Sequence, residues 1–291
     1  MIDSRTVCFG LIGSSLKYSL SPHIHNYIFK KYSLNAVYLC FEVEAEHLKK
    51  LREAILSLGI KGVNVTIPYK EEIISHLDHL DKEARMIGAV NTVKADKGKL
   101  YGFNTDGEGF IRSLQKYRFS PQDKKIFILG AGGAAKAISV YLARENPQGI
   151  FFYDIIYKKA SDLAKRIKHF FPQVEVKALK EKSEVNLQDI DLLVNASGVG
   201  LKEDDPLVIE IKDFKDDLVV YDLIYNPLQT RLLKEAKRKN LTTINGLWML
   251  IYQAIRSLEI WWEREFSGIE EMIYYRLVRE MKKDKSAMSS K

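Results

Sequence analysis

Lys125-Ile126-Phe127-Ile128-Leu129-Gly130-Ala131-Gly132-Gly133-Ala134-Ala135-Lys136-Ala137 is a short apolar run that ends in glycines and passes straight into a helix-forming segment. Ile150-Phe151-Phe152-Tyr153-Asp154 is a second apolar run with an acid at its end. Strand, glycine turn, helix, strand and terminal acid in this order make the layout of a dinucleotide-binding βαβ unit. Gly130 allows the tight turn out of the strand, and Gly132 lets the backbone approach a pyrophosphate. Free N–H groups at the helix start, with the positive end of the dipole, favour that anion. Asp154 stands 24 positions after Gly130, about where a carboxylate meets the adenosine ribose hydroxyls.

Outside this unit, the 291 residues suffice for two domains, and 46% hydrophobic content can fill their cores. No apolar run reaches the length of a membrane span, and Met1-Ile2-Asp3-Ser4-Arg5 has no signal-peptide core, so a cytoplasmic location is expected. Cys8 and Cys40 read as two buried free thiols in strands, without metal-type spacing. Of the net charge of +7, +4 falls between Arg276 and Lys291, so the basicity belongs to a solvated tail, with 282–291 flexible, and nucleic acid is not an expected partner.

The chain alternates strand and helix along its length. Thr6–Ile12 reads as a buried strand, and Ser21-Pro22 as an N-cap with proline at the first helical turn. Val37–Val43 is a second strand; Leu48, Leu51, Ile55 and Leu58 make one helical face before Gly59; Gly62–Ile67 is a third strand. A helix around Ile73–Leu77 and strands at Ala89–Lys94 and Leu100–Phe103 complete a first α/β domain over residues 1–106. The second spans 107–245, with further strands near Val174–Ala178, Asp191–Asn195, Leu218–Asp222 and Leu241–Ile244. After Gly246 a long helix carries the stripe Leu247, Leu250, Ile251, Ala254, Ile255 and Leu258. Trp261 and Trp262 at its end read as core. A homodimer is a reading the sequence leaves open.

The first domain places polar residues at successive strand ends. In Gly62-Val63-Asn64-Val65-Thr66-Ile67-Pro68-Tyr69-Lys70, period-two alternation puts Asn64 and Thr66 on one face and Val63, Val65 and Ile67 on the other. Lys70 follows the proline stop, Asn91-Thr92 interrupts an apolar strand, Asn104-Thr105-Asp106-Gly107 ends another, and Ser19 and Ser21 precede the first helix. Taken singly, these are a surface lysine, a turn and a helix cap. Together, a lysine, an aspartate and several amides and hydroxyls suit a small polyhydroxylated acid, the lysine exchanging a proton and the carboxylate orienting it.

Over residues 6–280 these motifs resemble the shikimate dehydrogenases, including the quinate/shikimate dehydrogenases. The likeness runs through Ser19-Leu20-Ser21-Pro22, His25-Asn26, Gly62–Lys70, Ile87–Thr92, Asn104–Gly107, Gly130–Ala135, Tyr225–Thr230 and Gly246–Leu250 with Gln253. It implies two α/β domains, an N-terminal substrate domain completed by the helix 246–281 and a Rossmann-like parallel-sheet cofactor domain, with a cleft between them that closes over its ligands. It implies that Lys70 is the acid/base and Asp106 its hydrogen-bonded partner. Ser19 and Ser21 would bind the substrate carboxylate with Tyr225 nearby, and Asn64, Thr66, Asn91 and Gln253 the ring hydroxyls. Gly130, Ala131, Gly132, Gly133, Ala134, Asp154, Asn195, Ser197, Leu223, Gly246 and Met249 would form the cofactor site. The implied reaction is reversible NAD(P)-dependent reduction of 3-dehydroshikimate to shikimate in chorismate and aromatic amino-acid biosynthesis, with no metal.

NADP-using members of that family commonly end the second cofactor-domain strand in Asn-Arg-Thr, whereas here the run is Asp154-Ile155-Ile156. A carboxylate suits a free 2′-hydroxyl and repels a 2′-phosphate, so NAD is expected ahead of NADP. Lys158 and Lys159 keep NADP open. Two other readings stand beside the first: an NAD-dependent quinate/shikimate dehydrogenase of quinate catabolism, and a non-catalytic dinucleotide-binding regulatory protein. The presence of both Lys70 and Asp106 argues against the last.

Overall fold

The structure, a computed structural model, describes residues 2–289, side chains of 284–289 excepted. The chain divides into two compact units, 1–105 with 251–291, and 106–250. The boundaries expected after residues 106 and 245 compare with observed ones after 105 and 250.

The first unit is built from β1 (Val7–Gly13), α1 (Ser21–Lys31), β2 (Ala36–Glu42), α2 (Leu51–Ser57), β3 (Gly62–Val65), β4 (His79–Leu80), α3 (Lys82–Ile87), β5 (Thr92–Asp96) and β6 (Lys99–Phe103). Its sheet runs β2-β1-β3-β5-β6-β4. β1 lies parallel to β2 and β3, and β5 is antiparallel to β3 and β6. Lys97 and Gly98 join β5 to β6 with φ of 47° and 74°, the two positive angles of a tight I′ hairpin turn. Val63, Val65, Tyr69, Ile73, Ala84, Val90, Val93 and Leu100 form the core over one face.

The second unit comprises α4 (Asp106–Lys116), β7 (Lys125–Leu129), α5 (Gly133–Arg144), β8 (Gly149–Tyr153), α6 (Tyr157–Phe170), β9 (Glu175–Leu179), β10 (Leu192–Asn195), β11 (Val219–Asp222), α7 (Arg231–Arg238) and β12 (Thr242–Asn245). Its sheet, β12-β11-β10-β7-β8-β9, is parallel throughout. Counted in chain order from the far edge this is 3-2-1-4-5-6, the dinucleotide-binding order, with its switch point between β7 and β10. The near-continuous apolar strands follow from helices covering both faces. α8 (Leu247–Trp262) starts in the second unit and continues in the first, and α9 (Glu270–Ser289) follows it.

Several expectations are corrected. Ser21 is not a cap: α1 starts at Ser21, Leu20 holds the cap position, and Ser19 Oγ accepts the Ser21 N–H at 3.2 Å. The segment at Glu72–His76 is a 3₁₀ turn, and the chain then adds the short β4 and α3. α3 has its own signals: Asp81 accepts the Ala84 N–H, and Gly88 closes it at φ 72°. Ile67 is 76% exposed because β3 ends at Val65 and the alternation stops there. Leu58 is likewise exposed, one residue past the end of α2. Cys40 is exposed because β2 is an edge strand, and Cys8, on interior β1, is half-buried rather than buried. The backbone is helical to Ser289, where a flexible tail from Lys282 was expected; Ser290 and Lys291 lie outside the described residues. Trp261 is core, its Nε1 donating to Val93 O at 2.9 Å, and Trp262 is half-buried.

Candidate active site

In the first unit, sheet register brings the polar strand ends into one row. Asn64 pairs with Thr92, Thr92 pairs with Phe103, and Asn91 N donates to Phe103 O at 3.1 Å. The Asn64 amide donates to Asn91 O (3.2 Å), Thr92 Oγ1 (3.0 Å) and Ser257 Oγ (2.9 Å), and its oxygen accepts from Tyr38 OH (2.8 Å). Asn91 Oδ1 accepts the Thr105 N–H at 2.8 Å, which turns Nδ2 toward Thr105 Oγ1 (3.0 Å) and Gln253 Oε1 (3.3 Å). Asn64, Asn91, Thr92 and Thr105 are all buried, yet each polar group has partners, as burial requires.

Lys70 is half-buried, five residues past the end of β3. The turn carrying it is fixed by Tyr69 N to Thr66 O (3.0 Å), Tyr69 OH to Val43 O (2.5 Å), and Val90 N to Lys70 O (2.7 Å). Thr66, half-buried, sits against Gly13, where a Cβ would lie 2.6 Å from its Cγ2. Ser19 is half-buried and Ser21 buried at the start of α1. Gln253 is half-buried on α8. Sequence reading missed two members of this network, Tyr38 and Ser257, and gave Thr105 no role beyond a polar strand end. The one local signal for Ser257 was a hydroxyl one helical turn beyond Gln253.

Asp106, 6% exposed, opens α4 in the second unit. There the glycine loop after β7 has the expected form. Gly130 adopts φ +100°, and a Cβ on it would lie 2.8 Å from the backbone of Ala196 and Ser197, so glycine is required both by conformation and by packing. Gly132 has φ −79°, and nothing lies within 4 Å of where its Cβ would be. The fold itself does not demand glycine at 132, which is exposed and is followed by half-buried Gly133 and Ala134. No side chain caps α5, so its first N–H groups are open to an anion. Asp154 binds the loop directly: Oδ2 accepts Ala131 N–H and Oδ1 accepts Ile156 N–H, each at 2.8 Å. Ile155 beside it is 89% exposed, and Lys158 is paired with Asp162 at 2.9 Å. The loop and carboxylate thus fit a dinucleotide.

The loops after β10 and β11 are locked by a buried carboxylate that sequence reading passed over. Asp222 accepts from Asn195 Nδ2 (3.1 Å), Ile224 N (3.1 Å) and Thr230 Oγ1 (2.7 Å). Burial pushes its pKa above the ordinary value, against the pull of those bonds. Asn195 is wholly buried, its oxygen accepting from Ser197 N and Oγ and its amide donating to Val199 O, so it shapes the loop around half-buried Ser197. Leu223 N donates to Asn195 O at 3.0 Å. A Cβ on Gly246 would lie 1.9 Å from Leu223 O, so this glycine lets the start of α8 cross Leu223. Met249 is 8% exposed, and burial raises the pKa of Tyr225. Among the described residues, the exposed Glu44, Glu46 and His47 could converge on an ion; exposed acidic groups of this kind are common without one.

Residues 11–93 match the family model described as the shikimate dehydrogenase substrate binding domain. The chain is 44% identical over 268 residues to a shikimate dehydrogenase (NADP(+)) of Methanopyrus kandleri, covering 89% of this chain and 91% of that one. The chain belongs to the shikimate dehydrogenase family. The corresponding protein of Methanocaldococcus jannaschii is 44% identical over 280 residues, 94% of this chain and 95% of that one. A Listeria monocytogenes shikimate 5-dehydrogenase, solved with shikimate and NAD, superposes with a TM-score of 0.88 at 33% identity, covering 95% of this chain and 98% of that one. As a shikimate dehydrogenase family member, the chain is an oxidoreductase that uses a nicotinamide dinucleotide and a small-molecule substrate. The names of the two archaeal relatives specify NADP(+), so they lend no support to the NAD preference read from Asp154.

Proposed function

We propose that this chain catalyses the reversible reduction of 3-dehydroshikimate to shikimate, in chorismate and aromatic amino-acid biosynthesis. The observation that supports the reading is the hydrogen-bonded row Asn64, Asn91, Thr105 and Gln253, together with half-buried Lys70, whose backbone O accepts from Val90 N next to Asn91. Such a row rejects analogues lacking a hydroxyl, because a site polar group would go unpaired. Ser19 and Ser21 hold the carboxylate of the ring, and Asn64, Thr66, Asn91 and Gln253 orient its hydroxyls. A bound dihydronicotinamide supplies hydride to ring carbon 3. The Lys70 ammonium gives its proton to the oxygen on that carbon as the C–O double bond becomes a single bond, and Asp106 is the carboxylate that acts with it. In the oxidative direction Lys70 takes the proton back.

The Gly130–Ala134 loop and the open N-terminus of α5 hold the pyrophosphate. Asp154, fixed by two backbone N–H groups, faces the adenosine ribose and favours NAD, as no guanidinium stands at exposed Ile155. Exposed Lys159 supports the NADP alternative. Steady-state rates with shikimate and with quinate, each with NAD and NADP, test both parts. Turnover of quinate equal to or above that of shikimate defeats the biosynthetic reading.

A further inference from the structure

Two side chains in the first unit hold the substrate amides without being open to substrate themselves. Tyr38 is 1% exposed and Ser257 wholly buried. The Asn64 amide has a fixed sense, because Asn91 O can only accept, so Nδ2 faces that side and Oδ1 the other. Tyr38 OH donates to that oxygen at 2.8 Å. The phenol ring has little freedom: His25 stacks on it at 4.1 Å between centroids and 8° between planes.

Ser257 Oγ lies 2.9 Å from Asn64 Nδ2, 2.8 Å from Thr92 Oγ1 and 3.3 Å from Thr105 Oγ1, and donates to Gln253 O at 3.0 Å. A serine that merely bonds back to its own helix needs only the last of these. Here the hydroxyl ties the helical turn that carries Gln253 to the strand ends that carry Asn64 and Thr92. Truncating either group leaves Asn64 and Gln253 in place but loosens their aim.

We infer that Tyr38 and Ser257 are positioning residues for substrate recognition, acting through Asn64 and Gln253. This rests on the shikimate reading above. The alternative is that the pair serves stability alone, as buried polar networks can. Full-length Tyr38→Phe and Ser257→Ala, each removing one oxygen, separate the two. Each should raise KM for shikimate about tenfold, the effect of mispairing one site hydrogen bond. kcat should stay within about threefold and KM for the dinucleotide should stay unchanged, since the cofactor loop is untouched. Thermal unfolding checks that each variant is folded at the assay temperature; if Tyr38→Phe is not, Ser257→Ala carries the test alone. Lowered thermal stability with unaltered KM for shikimate overturns the inference while the shikimate reading stands. A wild-type protein that does not turn over shikimate sinks both.

Discussion

His25 makes stability depend on pH in a way the structure quantifies. Its ring is 0% exposed, and neither nitrogen has a hydrogen-bond partner among the described residues. Burial therefore drives its pKa from 6.5 down to about 3, and the neighbouring Asn64 amide pulls weakly the other way without completing a bond. Because the folded pKa lies below the unfolded one, the stability contributed by neutral His25 is full above the unfolded value and is lost as pH falls toward the folded one. Between about pH 7.5 and about pH 5 the loss is about 2 kcal/mol, rising to about 5 kcal/mol in strong acid. His25→Phe keeps a ring against Tyr38 and removes the titration. Urea denaturation of both proteins at a series of pH values should show the wild type losing about 2 kcal/mol more than the variant over that interval. The extra volume of phenylalanine lowers the variant's curve at every pH and does not change its slope. Parallel curves would mean that His25 is protonated or solvated in the folded state, and would refute the burial argument.

Lys70→Ala should lose several orders of magnitude in kcat with little change in KM for shikimate, and near-normal turnover would remove Lys70 as the acid/base. Asp154→Asn with Ile155→Arg should shift the kcat/KM ratio toward NADP; an unchanged ratio would mean that this strand end does not select the cofactor. Gly246→Ala forces a Cβ onto Leu223 O and should cost about 2–3 kcal/mol by chemical denaturation. Gly132→Ala, with open space at that position, should change stability by less than about 0.5 kcal/mol while raising KM for the dinucleotide, so the pair separates a packing glycine from a ligand glycine.

What could be read from the chain was whatever depends on neighbours in sequence. The β7–α5–β8 unit announces itself through periodicity and glycine placement, which made a Rossmann-like parallel sheet legible, while the 3-2-1-4-5-6 order came from the strand pairing itself. The polar row was legible for the same reason, since Asn64, Asn91 and Asn104-Thr105 each break a short apolar run. Tyr38 and Ser257 were not, because a tyrosine in a strand and a serine beside an apolar helix stripe are unremarkable until register brings them to Asn64. Asp222 ends an apolar run just as Asp154 does; only tertiary contacts show that Asp222 is buried against Asn195 and Thr230 whereas half-buried Asp154 holds the glycine loop through Ala131 N. Cys40 misled because local pattern does not reveal which strand is at the sheet edge. Ser21 misled because two serines compete near one helix start, and the hydroxyl before the helix accepts the bond.

The division of the chain has a consequence for how it is made. The first unit's core needs residues that leave the ribosome last: Trp261 stacks on Phe9 with centroids 4.8 Å apart and fills the space over Gly62, and Phe266, Ile269 and Ile273 are buried in the same unit. The second unit, 106–250, is contiguous and can complete its sheet while that end is still being synthesised. The amino-terminal segment 1–105, though translated first, must wait with one face of β1 and β3 incompletely covered until the carboxyl-terminal helices arrive. A chain stalled or truncated before Ile251 would therefore present a finished second unit and an unfinished first one, and the cell would see the amino terminus as its aggregation hazard.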